Sequence, residues 1–120
     1  MILCLVDDLI FSIKISTAAK AIGAEIYFER AADTVLSSIR DKKPALVILD
    51  LNSGKMRPLD VIAAVKADDE LKGIRTLGFV SHVHADVIAM AREAGIDEVL
   101  ARSAFSDRLG EILRSAGTAT

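Results

Sequence analysis

The sequence has few of the features that tie a chain to an oxidising or membrane-bound location. Cys4 is the only cysteine among 120 residues, so no internal disulfide can form and a reducing compartment is expected. Because Cys4 lies in an apolar run, its thiol is predicted to be buried and unreactive. No basic leader with a cleavage site opens the chain, and no apolar stretch approaches the roughly 20 residues that span a bilayer. We therefore expect a cytoplasmic protein with no membrane contact.

Aromatic residues and net charge are also scarce. Aromatic side chains make up 4% of the chain against 52% for all hydrophobic residues, so we expect a core of Leu, Ile, Val and Ala. Acidic and basic residues are mixed, with a net charge of -2, so no surface for direct contact with nucleic acid is expected. The length of 120 residues suits a single domain.

What the sequence does contain is a regular alternation of short apolar runs and amphipathic segments. The runs have the length and composition of buried strands, and they occupy residues 2–6, 24–28, 45–51, 76–80 and 98–101. The segments between them place apolar residues at helical spacing, in the sets Ile10, Ile13, Thr17 and Ala21; Ala32, Val35, Leu36 and Ile39; Leu59, Ile62 and Val65; Val83, Val87, Met90, Ala91 and Ala94; and Phe105, Leu109, Ile112 and Leu113. Pro58 is predicted to open the third helix and Gly95 to end the fourth.

This alternation predicts an α/β fold, a doubly wound parallel sheet of five strands with helices on both faces. We place the domain at residues 1–114. Residues 115–120 are small and polar, and we interpret them as a flexible tail or the start of a linker.

Polar residues follow four of the five predicted strands, at the edge where open parallel sheets bind their ligands. In chain order these residues are Asp7, Asp8, Asp50, Asn52, Ser81 and Arg102. We expect the three carboxylates to share one acidic pocket, in which their mutual repulsion requires that some stay protonated or that a cation lies among them. Oxygen ligands from few protein groups suit Mg²⁺. The alternative is that Asp7 and Asp8 only cap the first helix.

The residues that carry these features resemble the receiver domain of two-component response regulators. CLVDD at residues 4–8 resembles the family's first strand with its acidic pair, and KPALVILDL at residues 43–51 resembles the third strand with the phosphoacceptor aspartate. AGID at residues 94–97 resembles the turn before the fifth strand. The resemblance covers nearly the whole chain. It implies a flavodoxin-like (βα)5 fold with strand order 2-1-3-4-5, in a bacterial, cytoplasmic phosphoprotein.

The resemblance also implies a role for each site residue. Asp50 would accept a phosphoryl group from a histidine kinase, a phosphotransfer protein or a small phosphodonor, and the signal would pass to a downstream protein partner or an output domain. Asp8, Asp50 and the backbone carbonyl of Asn52 would bind Mg²⁺ directly, with Asp7 acting through water. Ser81 would be the switch hydroxyl that follows the phosphoryl group. The family implies a monomer or weak dimer that is a regulatory phosphoacceptor, not an enzyme, beyond its own phosphorylation and dephosphorylation.

Several positions depart from the family pattern. Arg102 stands where the family has lysine, and its planar guanidinium is longer and can fork onto phosphate oxygens. Ser103 replaces a proline, so the peptide bond before it is expected to be trans. His82 replaces a small residue, and Val99 aligns with an aromatic switch residue. These changes raise the alternative of a pseudo-receiver, a docking module that keeps the fold without efficient phosphorylation.

Three further alternatives are open at the level of sequence. A phosphohydrolase with an aspartyl nucleophile would want an acid two residues after Asp50, where this chain has Asn52. His82 and His84 offer two metal ligands without a cysteine or a third histidine, which makes a weak site. The chain is either a stand-alone regulator or a fragment of a longer protein with an output domain.

Overall fold

The computed structural model describes residues 1–81 and 84–117, in which strands and helices alternate. The strands are β1 (Ile2–Leu5), β2 (Ile26–Glu29), β3 (Leu46–Asp50), β4 (Arg75–Val80) and β5 (Glu98–Ala101). The helices are α1 (Leu9–Ile22), α2 (Val35–Lys42), α3 (Pro58–Ala67), α4 (Ala85–Ala94), α5 (Arg102–Asp107) and α6 (Leu109–Gly117), with a 3-10 turn at Gly54–Met56. Every predicted strand is present, although its ends shift slightly from the predicted bounds.

The strands of the described residues form one parallel sheet in the order β2-β1-β3-β4-β5. This confirms the predicted doubly wound α/β fold with strand order 2-1-3-4-5. The order reverses between β1 and β3, because the chain first adds β2 on one side and then crosses to the other. Ligands of such sheets bind where the order reverses, at the carboxyl ends of the strands.

The central strands are buried on both faces. Successive side chains of a strand point to opposite faces, so each face receives every second residue. Ile2, Cys4, Leu46 and Ile48 belong to the cluster that packs against α1, α5 and α6. Leu3, Leu5, Val47 and Leu49 belong to the cluster on the other face, which α2, α3 and α4 cover. This two-sided burial explains why the strands read as continuous apolar runs.

The structure also bears on the single cysteine and on membrane-spanning segments. Cys4 is fully buried, and this burial raises the pKa of its thiol above the ordinary value, as predicted for an unreactive cysteine. Among the described residues, no helix is long and apolar enough to cross a membrane.

The core is less purely aliphatic than predicted, because three phenylalanines meet on the face covered by α1 and α5. The ring centroid of Phe79 lies 4.8 Å from that of Phe11 and 4.6 Å from that of Phe105. Phe79 and Phe105 are fully buried, and Phe11 is nearly so. Few aromatic residues are present in the chain, but most of the phenylalanines are concentrated at this one place, beneath the carboxyl-terminal edge of the sheet.

The predicted apolar face of α1 is wrong. The residues predicted to share the buried face are exposed, namely Ile10, Ile13, Thr17 and Ala21. The buried face instead carries Phe11, Ile15 and Ala19, which also follow helical spacing. Because α1 is apolar on two sides, periodicity could not choose between them. Packing of the Phe11 ring against Phe79 and Phe105 decides the orientation.

The helix ends follow the sequence signals. Pro58 is the first residue of α3, as predicted, and Ile62 and Val65 are buried while Leu59 is half-buried. Gly95 ends α4 with a φ of 103°, a left-handed conformation that favours glycine. Ala91 of the predicted α4 stripe is buried, but Met90 is 50% exposed. Val83 lies outside the described residues.

The predicted fifth helix is divided in two at Arg108, which lies between α5 and α6. Its predicted buried residues are nevertheless all buried, namely Phe105, Leu109, Ile112 and Leu113. Helix α6 continues to Gly117 because Ala116 extends the same buried stripe. The predicted domain boundary after residue 114 therefore lies inside a helix, and residues 118–120 are outside the described residues. The division into domain and tail stays a prediction.

Candidate functional site

The carboxyl-terminal edge of the sheet carries the polar residues predicted from the strand ends. Asp50 is the last residue of β3 and lies opposite Phe79 of β4 in the register. Asp8 is the N-cap of α1, two residues beyond the last fully buried residue of the first apolar run. Arg102 opens α5 directly after β5. Short connections therefore hold all three side chains close to the sheet edge.

Asp50 is the most buried of the candidate residues, with 4% of its surface exposed. Its Oδ1 accepts a hydrogen bond of 2.9 Å from the backbone N–H of Asn52. Burial raises the pKa of the Asp50 carboxyl, and the Asn52 hydrogen bonds and the charge of Arg102 only partly oppose this rise. The negative charge of Asp7 adds to it. A desolvated carboxylate at a strand end is typical of a functional group.

Asp50→Asn is expected to raise the free energy of unfolding by about 1 kcal/mol at neutral pH, because it removes a buried negative charge. The folded-state pKa is raised, so the stability contributed by protonated Asp50 is fully present below the unfolded pKa of about 4. It is lost as the pH rises through the folded pKa. The gain in Asp50→Asn should therefore shrink toward acid pH, which urea unfolding at several pH values can measure.

Asp41→Asn is the matched control, because Asp41 is an exposed residue of α2 and should leave the stability unchanged. If Asp50→Asn is less stable than wild type at neutral pH, burial is not the dominant influence on Asp50.

Asp8 has two partners, one for each carboxylate oxygen. Its Oδ1 accepts a 3.1 Å hydrogen bond from the backbone N–H of Phe11, so Asp8 does cap α1. Its Oδ2 accepts a 2.8 Å hydrogen bond from the guanidinium of Arg102. The Phe11 hydrogen bond and then Arg102 lower the pKa of Asp8 against the opposing effect of its burial. Asp8 can therefore cap α1 through Oδ1 and take part in the site through Oδ2.

Asp7 lies next to Asp8 but has a different cationic neighbour. The ammonium of Lys55, in the 3-10 turn after β3, lies 3.8 Å from Asp7 Oδ2. Within residues 1–81 and 84–117, no group of three or more His, Cys, Asp or Glu side chains could hold a metal ion. The three carboxylates thus lie at one edge of the sheet, but Asp8 pairs with Arg102 and Asp7 with Lys55. Their assignment as metal ligands stays a prediction.

Ser81 and Arg102 border the same cavity, of about 610 Å³, at the ends of β4 and β5. Phe11 forms part of its wall, together with Ala101, Ser103 and Ser106. The backbone N–H of Ser81 donates a 3.4 Å hydrogen bond to the side-chain oxygen of Asn52. This bond joins the end of β4 to the loop that follows Asp50. The bond involves the backbone of Ser81, and the switch role of its hydroxyl stays a prediction.

The other positions singled out in the sequence are Ser103, Val99 and the two histidines. No cis peptide bond occurs in the described part of the chain, which confirms the trans bond predicted before Ser103. Val99 is half-buried and packs against the cluster that α2, α3 and α4 cover. His84 is exposed and precedes α4, whereas His82 lies outside the described residues. The two-histidine metal hypothesis therefore stays untested.

Two residues of the site, Phe11 and Lys55, were not predicted from the sequence. The guanidinium carbon of Arg102 lies 4.5 Å from the ring centroid of Phe11, so this ring supports the Arg102 side chain. Its position three residues after Asp8, in the first turn of α1, was the available signal. Lys55 approaches Asp7 through the 3-10 turn at Gly54–Met56, for which the sequence offered no clear pattern.

Comparison with known proteins gives structural matches only. No protein-family model and no curated protein matches the sequence. The Mn²⁺-bound form of response regulator Rcp1 superposes with a TM-score of 0.81 at 19% identity, covering 99% of this chain and 96% of that chain. The phosphorylated cyanobacterial phytochrome response regulator RcpA gives 0.78 at 22% identity, covering 95% and 88%. The receiver domain of NtrX from Brucella abortus gives 0.78 at 20% identity, covering both chains in full.

These matches establish that the chain has the fold of response regulator receiver domains over almost its entire length. The resemblance read from the strand motifs is thereby confirmed for the fold.

Proposed function

We propose that this chain is a receiver domain of two-component signalling and that Asp50 accepts a phosphoryl group. The observation that carries the proposal is the position of Asp50, buried at the end of the central strand β3 with Arg102 and Asp7 near enough to influence its charge. The phosphoryl donor would be the phosphohistidine of a kinase or phosphotransfer protein, or a small phosphodonor. Like other receivers, the chain would regulate a partner and would not turn over a free substrate.

The transfer needs only one nucleophile from the chain. A carboxylate oxygen of Asp50 forms the new bond to phosphorus while the bond between phosphorus and the donor nitrogen or oxygen breaks, and the leaving group takes the electron pair. The hydrogen bond from Asn52 N–H to Oδ1 fixes the orientation of the carboxylate. We assign the attack to the other oxygen, Oδ2, which does not accept the hydrogen bond from Asn52 N–H.

A divalent cation fits the chemistry of the oxygen ligands at this edge. Asp8, Asp50 and the backbone carbonyl of Asn52 would hold Mg²⁺, with Asp7 acting through water. When bound, the ion supplies charge neutralisation to the transferring phosphoryl group. Asp50 is buried and has no directly bonded cationic side chain among residues 1–81 and 84–117, which is consistent with this assignment, because a desolvated carboxylate gains most from a nearby positive charge.

Ser81 and Arg102 are the residues that we expect to respond to phosphorylation. Both border the cavity at the ends of β4 and β5, and Ser81 is hydrogen-bonded through its backbone to Asn52. A phosphoryl group on Asp50 brings additional charge and acceptor oxygens. A hydroxyl and a guanidinium are the donors that such oxygens recruit. Their movement would alter the surface offered to a downstream partner or output domain.

The test is incubation with acetyl phosphate and Mg²⁺, followed by intact-protein mass spectrometry. The expected result is a mass gain of one phosphoryl group in wild type and no gain in Asp50→Asn. Asp41→Asn, which removes an exposed carboxylate on α2, should be labelled like wild type. Equal labelling of Asp50→Asn would move the phosphoacceptor to another residue and refute the assignment.

The second candidate is a pseudo-receiver, a docking module that does not depend on phosphorylation. The observation that favours it is the 2.8 Å contact between Arg102 and Asp8, which occupies a carboxylate that the phosphorylation chemistry would use for a cation. Wild-type protein that stays unlabelled, under conditions that label a standard receiver, would favour this candidate. A partner that binds Asp50→Ala as tightly as wild type would support it further.

A further inference from the structure

Arg102 is positioned to occupy the carboxylate that a cation would need. The residue opens α5 directly after β5, and its terminal nitrogen lies 2.8 Å from Asp8 Oδ2. The other oxygen of Asp8, Oδ1, is already bonded to the N–H of Phe11. Since both oxygens of Asp8 have protein partners, a cation can be bound at Oδ2 only if the guanidinium moves away or shares the oxygen.

The contact between Arg102 and Asp8 is supported from a second direction. The guanidinium carbon of Arg102 lies 4.5 Å from the ring centroid of Phe11 and 5.9 Å from that of Phe79. A planar guanidinium stacks on aromatic rings and is less strongly hydrated than an ammonium, so the ring stabilises it where a lysine would gain less. Both side chains are more than one-third exposed, at 38% and 37%, so solvent still screens the pair.

One atom of Arg102 is not satisfied in this arrangement. Nε is buried and has no hydrogen-bond partner in the described part of the chain. A buried donor without an acceptor is unfavourable. The Asp8-bound conformation therefore leaves one donor of the guanidinium group unsatisfied.

We propose that Arg102 and a divalent cation of the Mg²⁺ or Mn²⁺ class compete for Asp8, so that the guanidinium acts as a built-in inhibitor of cation binding. Two positive charges at one carboxylate oxygen repel each other, so occupation by one weakens the other. A cation at Asp8 Oδ2 weakens the contact with Arg102, and the displaced side chain then becomes available to other acceptors in the cavity that it borders. This inference rests on the proposed role of Asp8 as a cation ligand.

The first test measures Mn²⁺ affinity from the electron paramagnetic resonance signal of free Mn²⁺. Arg102→Gln retains part of the aliphatic stem over Phe11 but removes the charge, and we expect it to bind Mn²⁺ about tenfold more tightly than wild type. The matched control is Arg40→Gln, because Arg40 pairs with Asp68 at 3.0 Å in a contact between α2 and the end of α3. The control removes the same charge and should leave the affinity unchanged within about twofold.

Asp8→Asn separates the failure of this inference from failure of the proposed function. Asparagine also caps helices, so α1 keeps its cap while the charged ligand is lost. If Asp8→Asn binds Mn²⁺ weakly and Arg102→Gln binds it like wild type, competition by Arg102 is refuted and the cation site stands. If Asp8→Asn binds Mn²⁺ like wild type, Asp8 is not a ligand, and both the inference and that part of the proposed function are refuted.

A second readout follows Arg102 itself. In a ¹⁵N-labelled sample, the Nε–H resonance of Arg102 should shift on addition of Mg²⁺ with the same midpoint as the backbone amide of Phe11, which is bonded to Asp8. The shift reports displacement of the side chain, which a purely structural role would not produce. An Nε–H resonance that stays in place while the Phe11 amide shifts to saturation would overturn the proposal.

Discussion

Phe79→Ala is expected to lower the free energy of unfolding by about 3–5 kcal/mol. Phe79 is fully buried in β4, and its ring contacts those of Phe11 and Phe105, at centroid distances of 4.8 Å and 4.6 Å. Truncation removes the apolar surface of the ring, leaves a cavity between α1, α5 and the sheet, and abolishes two aromatic contacts. Urea unfolding followed by circular dichroism measures the loss.

Phe28→Ala is the control for this prediction. Phe28 lies in the outer strand β2, is only half-buried and takes no part in the aromatic contacts of Phe11, Phe79 and Phe105. Its truncation should therefore cost clearly less, because less apolar surface leaves water on folding. A loss in Phe79→Ala no larger than that in Phe28→Ala would show that the three-ring cluster does not stabilise the core as inferred.

Asp97→Ala is expected to lower the free energy of unfolding by about 2 kcal/mol. One carboxylate oxygen, Oδ2, accepts three hydrogen bonds, from Lys66 Nζ at 2.8 Å, Thr76 N–H at 2.8 Å and Thr76 Oγ at 2.9 Å. Thr76 is buried, so removal of the acceptor leaves its backbone N–H without a partner. The Asp97 side chain is 45% exposed, and water compensates for part of the loss, which keeps the expected value moderate.

The contribution of Asp97 should depend on pH in the opposite sense to that of Asp50. Burial tends to raise the pKa of Asp97, but Lys66 and the Thr76 hydrogen bonds outweigh it, so the net pKa is lowered. A carboxylate with a lowered folded-state pKa stabilises the protein above the unfolded pKa of about 4, and this stability is lost as the pH falls through the folded pKa. The difference between wild type and Asp97→Ala should therefore be largest at neutral pH and decrease in acid.

Asp97→Asn serves as the conservative comparison, since its amide oxygen can still accept a hydrogen bond from Thr76. It should lose about half as much stability as Asp97→Ala. If Asp97→Ala unfolds at the same urea concentration as wild type, with an unchanged slope, the network joining α3, β4 and the start of β5 contributes no net stability.

The aromatic cluster and Arg102 connect the core to the site. The Arg102 guanidinium packs over the rings of Phe11 and Phe79. Its carbon atom lies 4.5 Å and 5.9 Å from the two ring centroids. Arginine at this position is thus matched to its surroundings, because its planar group stacks on rings as a lysine ammonium cannot. The arginine that follows β5 is therefore accommodated by aromatic residues of α1 and β4.

Sequence periodicity was sufficient for the strands and insufficient for the helix orientations. The strands are short, continuous apolar runs, and burial on both faces leaves no alternative side to choose. Helix α1 differs because it is apolar around much of its circumference, so Ile10 and Ile13 competed with Phe11 and Ile15 for the core. Helical spacing identifies a stripe but cannot identify which stripe the remaining structure covers.

The sequence by itself determined the α/β architecture, the strand positions, the start of α3 at Pro58, the C-cap of α4 at Gly95, and the presence of Asp50 at the end of a buried strand. These properties follow from local composition, spacing and the general rule that ligands bind at strand ends. Only the tertiary structure decided which basic side chain pairs with which carboxylate, since Arg102 and Asp8 are 94 residues apart in the chain. Such a pairing depends on how β1 and β5 are placed in the sheet and on the rings beneath them, which no local pattern encodes.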